Sequence, residues 1–485
     1  MSLPQLRRLL QHTGNKTDQF TLYEWGTMKY FIEAIAATLA LKKTSSIARP
    51  GAGLFPVYNY RQHGISMLLY VAAMLLGFDA GVALKLFYIL PLSAILCASL
   101  FFFLFFGRTK ITSPSASRRN PHEINAAELL EREVVPLETG EALAVVKGQV
   151  ILVTGAAGSI GSELCRQLLD YEPELLIALD VNETGLFDLA EGLRSRSHPH
   201  SAHLYPYIGD ISDVQRMTRL FAGKRPSIVF HAAAYKHVPL LEEYPDLAIR
   251  TNVLATYHLC RLAEKYEVAR FVFISTDKAA EPVSIMGASK RMGEMIVQSQ
   301  AESAYCMTRF CAVRFGNVLG SRGSVVPIFA QQIEQGGPLT VTDPEATRYF
   351  MTIPEACGLV ILTATTADQG GLYLLNMGKP VQIIDLAEKM IRLSGLRVGQ
   401  DIPIVYTGLR PGERLHETLV AAHEELTPTA NRSILRVTHK GHLPTLTTID
   451  KWVDTIEDCL VHGYDTQFRE HLFEIVREQE LIPTG

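Results

Sequence analysis

Two patterns of hydrophobic and polar positions divide the chain. Residues 86–106 carry no charged side chain and end in a run of phenylalanines, and residues 65–84 are apolar apart from an interruption near Asp79. Each run is long enough for the roughly 20 residues with which a helix crosses a bilayer. The pattern predicts a transmembrane hairpin of one or two helices over residues 65–107, with a buried core helix as the alternative for the uncharged run.

Basic residues flank this apolar region on both sides, whereas the turn around Asp79 has none. They are Lys42, Lys43, Arg49 and Arg61 before the region and Arg108, Lys110, Arg118 and Arg119 after it. Lys and Arg collect in the cytoplasmic loops of membrane proteins. We therefore expect both ends of the hairpin to lie in the cytoplasm.

From residue 148 onward the period of the pattern changes. Short β-branched runs such as VILVT, LLIAL, SIVFH and RFVFI alternate with helical patterns such as SIGSELCRQLL. This alternation predicts an α/β fold, a Rossmann-type doubly wound parallel sheet with a smaller C-terminal substrate-binding subdomain. The predicted divisions are an N-terminal region of unknown role (1–64), the hairpin, a linker and lead-in helix (108–147), the cofactor-binding domain (148–435, with substrate-binding elements in 315–435) and a C-terminal helical extension (436–485).

The composition excludes several classes of protein. Lys and Arg total 46 against 50 for Asp and Glu, so the net charge is −4 and nothing in the composition favours a nucleic-acid partner. The seven cysteines are scattered without a CxxC pair, so we expect neither a disulfide framework nor a metal site. The 485 residues give room for two to four domains at about 150 residues each.

A glycine-rich turn follows the first predicted strand. Gly155, Gly158 and Gly161 form a GxxGxxG pattern between a strand that ends at Thr154 and a helix that begins near Ser159. Glycines let the backbone turn tightly and approach a pyrophosphate, which then lies at the helix N-terminus. The sequence therefore predicts a dinucleotide site that includes the neighbouring residues Ala157, Ser159 and Ile160.

Acidic residues follow the next two predicted strands. Asp180 lies where a carboxylate binds a ribose 2′-hydroxyl and would repel a 2′-phosphate, so NAD is favoured over NADP. A solvated strand-end carboxylate is the alternative. Asp210 is placed to contact the adenine side or, equally, to cap a helix. Ile211, Ala232 and Ala233 complete the predicted cofactor contacts.

The glycine spacing resembles that of the extended short-chain dehydrogenase/reductase (SDR) superfamily. The resemblance implies a Tyr-x-x-x-Lys pair on the helix after the fifth strand, where this chain has Met286 and Lys290. Lys290 retains the expected role at the nicotinamide ribose. The thioether of Met286 can neither donate nor accept a proton usefully, so other groups must perform the proton chemistry.

Candidate acid and base residues precede that helix. Thr276, Asp277 and Lys278 follow the fifth strand, and ligands bind at such strand ends in open α/β sheets. The triplet resembles the Thr-Asp-Glu of sugar-nucleotide 4,6-dehydratases. Asp277 is the expected general acid for O6 of the sugar and Lys278 the base at C5, if nearby positive charge lowers the pKa of Lys278. A surface ion pair is the alternative.

The motifs HAAAYKHVPLLE, STDKAAEPVSIMGASKR, RFGNVLGSRGSVVP, TRYFMTIPEA and GLRPGERLHE resemble the membrane-associated UDP-N-acetylglucosamine 4,6-dehydratases of bacterial polysaccharide and glycan biosynthesis. The resemblance covers residues 126–435. It implies Asp277 and Lys278 as the catalytic pair, retention at C5, a UDP-N-acetylhexosamine substrate and an inner (cytoplasmic) membrane location with the catalytic domain in the cytoplasm. Extended SDR enzymes commonly dimerise through a helix bundle, so a homo-oligomer is one expectation.

The resemblance also suggests substrate contacts, which for the arginines compete with a role in structural ion pairs. They are Lys236, His237, Asn317, Arg322, Arg348, Arg410 and Glu413. His231 and Tyr235 are expected at the rim of the site, and Asn252 is expected to pack between helices.

Three functions are consistent with the sequence. The first is an NAD-dependent 4,6-dehydratase that acts on UDP-N-acetylglucosamine. The second is a sugar-nucleotide epimerase acting at C5. The third is a membrane-tethered scaffold that binds NAD and a sugar nucleotide without turnover, for which the absent tyrosine is the supporting feature.

Overall fold

A computed structural model of the chain describes residues 119–130, 140–195, 200, 203–303, 306–462 and 465–480. The predicted hairpin over residues 65–107 and the N-terminal region lie outside these residues. Within the described ranges, no helix is both long enough and apolar enough to cross a membrane.

A nine-stranded sheet forms the centre of the fold, in the order β14-β15-β11-β6-β5-β4-β1-β2-β3. Seven neighbouring strands, from β11 to β3, are parallel, and β15 and β14 add an antiparallel edge. These strands are β1 (Val150–Thr154), β2 (Leu175–Asp180), β3 (Leu204–Ile208), β4 (Ile228–His231), β5 (Arg270–Ile274), β6 (Arg309–Arg314), β11 (Gly371–Leu375), β14 (Glu424–Pro428) and β15 (Ile434–His439). The doubly wound parallel sheet expected from the sequence is confirmed.

Helices cover both faces of the sheet. In chain order they are α1 (Ala126–Leu129), α2 (Gly140–Val146), α3 (Ser159–Leu169), α4 (Glu183–Ser195), α5 (Val214–Lys224), α6 (Val238–Glu243), α7 (Pro245–Ala248), α8 (Ala255–Lys265), α9 (Ile285–Ala301), α10 (Val325–Glu334), α11 (Ile353–Thr366), α12 (Ile383–Leu393), α13 (Leu446–His462) and α14 (Asp465–Glu480). Short 3₁₀ turns span Pro121–Glu123 and Asp277–Ala279, and a π-helical turn spans Ile249–Leu254.

Two apolar cores result from this arrangement. One face of the sheet packs against α2, α3, α4 and α11, and the other against α5, α8, α9, α13 and α14. The strands β1, β4 and β5 are buried on both faces because their side chains are nearly all apolar, as parallel central strands require.

A smaller lobe follows β6 in the chain and carries its own apolar core. It contains α10, α12 and three two-stranded pairs. The paired strands are β7 (Asn317–Leu319) with β10 (Phe350–Thr352), β8 (Leu339–Val341) with β13 (Ile404–Tyr406), and β9 (Thr347–Arg348) with β12 (Val381–Gln382).

The folded body begins before residue 148 and continues past residue 435. Ile124, Leu129 and Leu130 are buried in the core of the smaller lobe, and Ala142 and Val146 of α2 are buried in a core of the main sheet. These parts of the predicted linker therefore pack as domain structure. The predicted boundary at residue 435 falls inside β15, whose pairing with β11 makes it part of the main sheet.

The C-terminal helices pack against α9. Every position of α9 from Ile285 to Gln300 is buried, because α9 lies between the sheet, α8 and the two C-terminal helices. The Tyr257 hydroxyl on α8 donates a 2.7 Å hydrogen bond to Asp450 Oδ1 on α13. The predicted C-terminal extension thus covers the helix that carries Met286 and Lys290.

Candidate active site

The glycine loop joins β1 to α3 in the shape that a pyrophosphate requires. Gly155 has φ +70°, and a Cβ there would lie 2.7 Å from the Cα of Ala233. A Cβ on Gly161 would collide with the carbonyl oxygen of Gly155. Gly158 is the N-cap of α3 and supplies no side-chain cap, so backbone N–H groups of the first turn are open to a ligand. The loop therefore fits the dinucleotide predicted from its sequence.

The two predicted acidic contacts have different surroundings. Asp180 Oδ2 accepts a 2.9 Å hydrogen bond from the Ala157 N–H, so this carboxylate supports the glycine loop directly. Asp210 is exposed, and its Oδ1 accepts from the backbone N–H and the hydroxyl of Ser212. The N-cap of α5 is Asp213. Asp210 therefore forms a local turn rather than the helix cap that was its alternative role, and Ile211 beside it is buried in the core.

His231 lies inside the sheet, so the expectation that it lines the rim is wrong. Its Nδ1 lies 2.8 Å from Thr154 Oγ1 and its Nε2 lies 2.9 Å from Thr256 Oγ1. Burial lowers the pKa of His231 to about 3, and the positive charge of Lys290 acts in the same direction. The imidazole is therefore neutral. Thr154 Oγ1 also accepts from the Ala233 N–H, which fixes the chain after β4.

The residues after His231 begin the exposed rim. Ala232 is half-buried and Tyr235 is exposed. Asn252 holds this segment, because its Oδ1 accepts from the Tyr235 N–H and its Nδ2 donates to the Tyr235 carbonyl oxygen. Asn252 also donates to Ser289 Oγ on α9. Asn252 thus packs from the π-helical turn as expected, and it does so through hydrogen bonds to the segment after β4 and to α9.

The predicted acid lies at the carboxyl end of β5. Asp277 is 1% exposed, and its Oδ1 accepts from Thr276 Oγ1 at 2.9 Å and from Lys278 Nζ at 3.0 Å. Its Oδ2 is buried and has no hydrogen-bond partner among the described residues. A Cβ on Gly316 would lie 3.1 Å from that Oδ2. A buried acceptor without a partner is costly, and the glycine leaves room beside it.

The ammonium of Lys278 lies among three oxygen atoms. Nζ is 3.0 Å from Asp277 Oδ1, 3.2 Å from Glu417 Oε1 and 3.3 Å from Asn317 Oδ1. Burial lowers the pKa of Lys278, but the negative charges of Asp277 and Glu417 more than offset that effect, so its pKa is raised. The condition set in the sequence analysis, a lowered pKa of Lys278, is therefore not met by the chain's own groups, because the sequence did not reveal the second carboxylate.

Met286 and Lys290 lie on α9. Met286 is buried against Val238 and Leu241, so it acts as a packing residue. Lys290 is 6% exposed, and its Nζ lies 3.9 Å from the centre of the Phe273 ring. Burial lowers the pKa of Lys290 to about 7, although the charge of Glu294 opposes the shift.

The predicted substrate residues fall into three groups. Lys236 Nζ donates to the Arg322 carbonyl oxygen at 3.0 Å, and the Arg322 N–H donates to Ser159 Oγ at 3.1 Å. This group, with His237 packed near Gly323, joins the glycine loop to the smaller lobe. Asn317 belongs to the Lys278 group. Arg410 and Glu413 share an exposed turn, in which the Arg410 N–H donates to Glu413 Oε2.

Arg348 joins the Lys278 group through Glu417. Its Nε lies 3.6 Å from Glu417 Oε1. Its other guanidinium nitrogens donate to the carbonyl oxygens of Thr347, Arg414 and Leu415. Arg348 thus has a structural ion pair, the role that competed with substrate binding for the arginines.

A small, largely polar cleft opens beside Asp277 and Lys278. Its lining residues are Asp277, Lys278, Glu281, Val283, Ser284, Gly412, Arg414, Glu417 and Thr418. Sequence reasoning missed Glu281, Ser284, Arg414, Glu417 and Thr418. Polar residues that included Arg414, Glu417 and Thr418 were visible in the segment GERLHETL at the RPG turn. The spacing of that segment does not show which of its side chains face β5.

A second polar cluster lies apart from this cleft. His423, Glu424 and His439 have ligand atoms close enough together to hold a metal ion. However, the Glu424 carboxylate already accepts from Arg314 at 2.7 Å and lies 3.3 Å from Arg291. Two guanidinium groups beside the carboxylate disfavour a cation there.

Comparison with known proteins places this architecture. Residues 151–439, more than half of the chain, match the family described as polysaccharide biosynthesis protein. The chain belongs to that family. Within the polysaccharide biosynthesis proteins it is a CapD-like extended SDR, as the resemblance implied.

Two curated relatives and one solved structure illustrate the likeness. The chain is 47% identical to the capsular polysaccharide biosynthesis protein CapD of Staphylococcus aureus, over 73% of this chain and 57% of that protein. It is 45% identical to the probable polysaccharide biosynthesis protein EpsC of Bacillus subtilis, over 62% and 50%. The X-ray structure of Pen from Bacillus thuringiensis matches with a TM-score of 0.56 and 31% identity, over 62% of this chain and 89% of Pen. The chain thus spans little more than half the length of those curated relatives.

Proposed function

We propose that this polysaccharide biosynthesis protein is an NAD-dependent nucleotide-sugar 4,6-dehydratase. It converts UDP-N-acetylglucosamine to a UDP-4-keto-6-deoxy-N-acetylhexosamine and retains the configuration at C5. One observation carries the proposal. The Asp277–Lys278 pair lies at the carboxyl end of β5, with a buried Asp277 Oδ2 that has no partner among the described residues and an open cleft alongside.

The glycine loop and Asp180 are the residues that would hold NAD. The loop would receive the pyrophosphate at the N-terminus of α3, and Asp180 would face the adenosine ribose. Bound NAD would supply the acceptor for the C4 hydride, as O4 gives its proton to solvent, and the donor of that hydride to C6, as the Lys278 ammonium protonates C5, so that the reaction would have no net redox change. Lys290, buried on the adjacent helix, would contact the nicotinamide ribose.

The chain's own residues carry the elimination of water. Lys278 removes the C5 proton, the C6–O bond breaks, and Asp277 protonates the departing oxygen, which leaves as water. The resting pair consists of an ammonium beside a carboxylate. Transfer of one proton along the 3.0 Å Lys278–Asp277 hydrogen bond gives the amine and the carboxylic acid that this step needs, with no change in total charge.

The remaining predicted residues are proposed as substrate contacts and membrane attachment. Asn317 faces the sugar from beside Lys278, and Arg410 with Glu413 receives the uridine diphosphate from an exposed turn. We place residues 65–107 as a hairpin in the bacterial inner membrane, with the catalytic domain in the cytoplasm.

A turnover assay tests this proposal. The full chain in detergent is incubated with UDP-N-acetylglucosamine and NAD in deuterated water, and the product is read by mass spectrometry and NMR. We expect loss of one water, one solvent deuterium at C5, and retained configuration. The Lys278→Ala variant should form no product, whereas Lys440→Ala, which removes an exposed lysine paired with Glu425, should match the wild type.

Other outcomes contradict the proposal. A product of unchanged composition, with deuterium at C5 and altered configuration, would assign the chain as an epimerase. Stoichiometric binding of NAD and sugar nucleotide without any product would assign it as a scaffold.

A further inference from the structure

Glu417 is a buried carboxylate at the active site to which no role has been assigned. Its side chain is 6% exposed, and Oε1 lies 3.2 Å from Lys278 Nζ and 3.6 Å from Arg348 Nε. A buried carboxylate is stable only with charged or hydrogen-bonding partners. Lys278 and Arg348 provide that compensation.

The backbone around Glu417 is fastened to β9. The Thr347 N–H donates to the Leu415 carbonyl oxygen at 3.1 Å, and Thr347 Oγ1 lies 2.9 Å from His416 Nδ1. The Arg348 guanidinium donates to the Arg414 carbonyl oxygen at 2.8 Å and to the Leu415 carbonyl oxygen at 3.0 Å. Glu417 therefore projects from a held segment, and its distance to Lys278 is set by the fold.

The charged and polar groups that face Lys278 come from four elements. Asp277 lies beside it on the 3₁₀ turn, Glu417 approaches from the segment after the RPG turn, and Arg348 from β9 adds one positive charge behind Glu417. Asn317 on β7 contributes a neutral amide oxygen. Glu281 and Arg414 also line the cleft, but they pair with each other at 3.3 Å and largely cancel.

We propose that Glu417 is a positioning residue for Lys278, which holds the ammonium between Asp277 and Asn317 and keeps it protonated between turnovers. This inference rests on the proposed function, in which Lys278 is the base. With Glu417 ionised, the Lys278 amine forms only when its proton passes to Asp277. The acid and the base are then generated in one transfer.

Chemical labelling tests the proposal without any turnover. Full-length protein in detergent is treated with trace acetic anhydride over a range of pH, and the Lys278 peptide is quantified by mass spectrometry. Only the neutral amine reacts. Because Glu417→Gln keeps the shape but removes one negative charge about 3 Å away, we expect the labelling midpoint of Lys278 to fall by about one pH unit. An unchanged midpoint overturns the proposal.

Two further variants separate charge from folding. Glu417→Asp keeps the charge at a longer distance and should give a midpoint between those of the wild type and Glu417→Gln. If circular dichroism shows that Glu417→Gln does not fold, the labelling midpoint of Lys278 in Glu417→Asp decides. A midpoint in Glu417→Asp that is no lower than in the wild type overturns the proposal. Glu425→Gln removes an exposed carboxylate paired with Lys440 and should leave the Lys278 midpoint unchanged.

Kinetics distinguish positioning from a purely structural role. In Glu417→Gln the fall of kcat at high pH, where the Lys278–Asp277 pair loses its shared proton to solvent, should begin about one unit lower than in the wild type, whereas a structural defect would lower kcat by the same factor at every pH. If the wild type forms no dehydrated product but the labelling midpoint shifts, the dehydratase proposal fails and the positioning role stands. If product forms and the midpoint does not move, only the present inference fails.

Discussion

At the scale of single residues, the surroundings of Lys278 combine a neighbour in the sequence, Asp277, with a carboxylate from a distant segment, Glu417. The glycine loop and the Thr276–Lys278 triplet lie within short stretches, so their placement follows from the strand that precedes each. Glu417 reaches Lys278 only because the smaller lobe folds back onto β5. No periodicity in the sequence encodes that approach, and the negative charge that Glu417 brings helps to raise the pKa of Lys278.

A pair of glycine substitutions tests the cofactor loop at this scale. Gly161→Ala places a methyl group against the Gly155 carbonyl oxygen, so we expect NAD affinity to fall at least tenfold. Gly192, in the last turn of α4, has no atom near the position that a Cβ would take. Gly192→Ala should therefore leave NAD affinity unchanged and stabilise the protein by about 0.5–1 kcal/mol. Isothermal titration calorimetry and urea unfolding measure both effects, and equal NAD affinity in the two variants contradicts the assigned loop geometry.

At the scale of elements, a buried charge network joins α9 to the sheet. Arg314 on β6 donates to Glu294 on α9 at 2.6 Å and to Glu424 on β14 at 2.7 Å. The strands were predicted from their apolar runs, but this network was not, because its members lie on elements separated by long stretches of sequence. The missed end of β15 has a similar cause, since antiparallel pairing with β11 is a long-range contact.

This network should make stability depend on acidity. Burial raises the pKa of Glu424, but the charge and hydrogen bonds of Arg314 outweigh burial and lower it to about 2. A carboxyl whose folded pKa lies below its unfolded value of 4.5 stabilises the fold above that value, and the contribution is lost as the pH falls toward 2. Urea unfolding of the wild type should therefore show a falling free energy between about pH 4.5 and pH 2.

Arg314→Leu is the matched variant for that prediction. It leaves Glu294 and Glu424 buried with Arg291 and, beside Glu424, His439 as partners, so we expect a loss of about 3–5 kcal/mol at pH 7. Because Arg314 no longer lowers the pKa of Glu424 in this variant, the variant should lose less further stability on acidification than the wild type. Parallel unfolding curves for the two proteins across this range would contradict the assignment.

At the scale of the whole molecule, the C-terminal helices decide which surface of α9 is available. Here α13 and α14 of the same chain cover α9, with Ile449, Val453 and Leu472 buried in the shared core. That face of α9 is therefore closed to a partner subunit.

Truncation tests this view. A stop codon after Pro444 removes α13 and α14 and exposes the apolar side of α9. Each exposed aliphatic side chain forfeits about 1.5–3 kcal/mol of burial, so we expect a strongly destabilised protein that self-associates. Light scattering in detergent should show larger particles than the full-length chain gives. An unchanged mass with unchanged stability would contradict the claim that α13 and α14 cover the apolar side of α9.

The hydrogen bond from the Arg322 N–H to Ser159 Oγ has a thermodynamic consequence. Ser159 lies in the first turn of the helix that would receive the dinucleotide. The loop that carries Arg322 also accepts a hydrogen bond from Lys236, at the Arg322 carbonyl oxygen. A ligand that binds at that turn acts on the loop that carries Arg322, one of the predicted substrate contacts. Linkage requires the effect to be mutual, so dinucleotide and nucleotide sugar should each change the other's affinity by one common factor. Ser159→Ala should bring that factor close to one in calorimetric titrations, even where each ligand still binds alone.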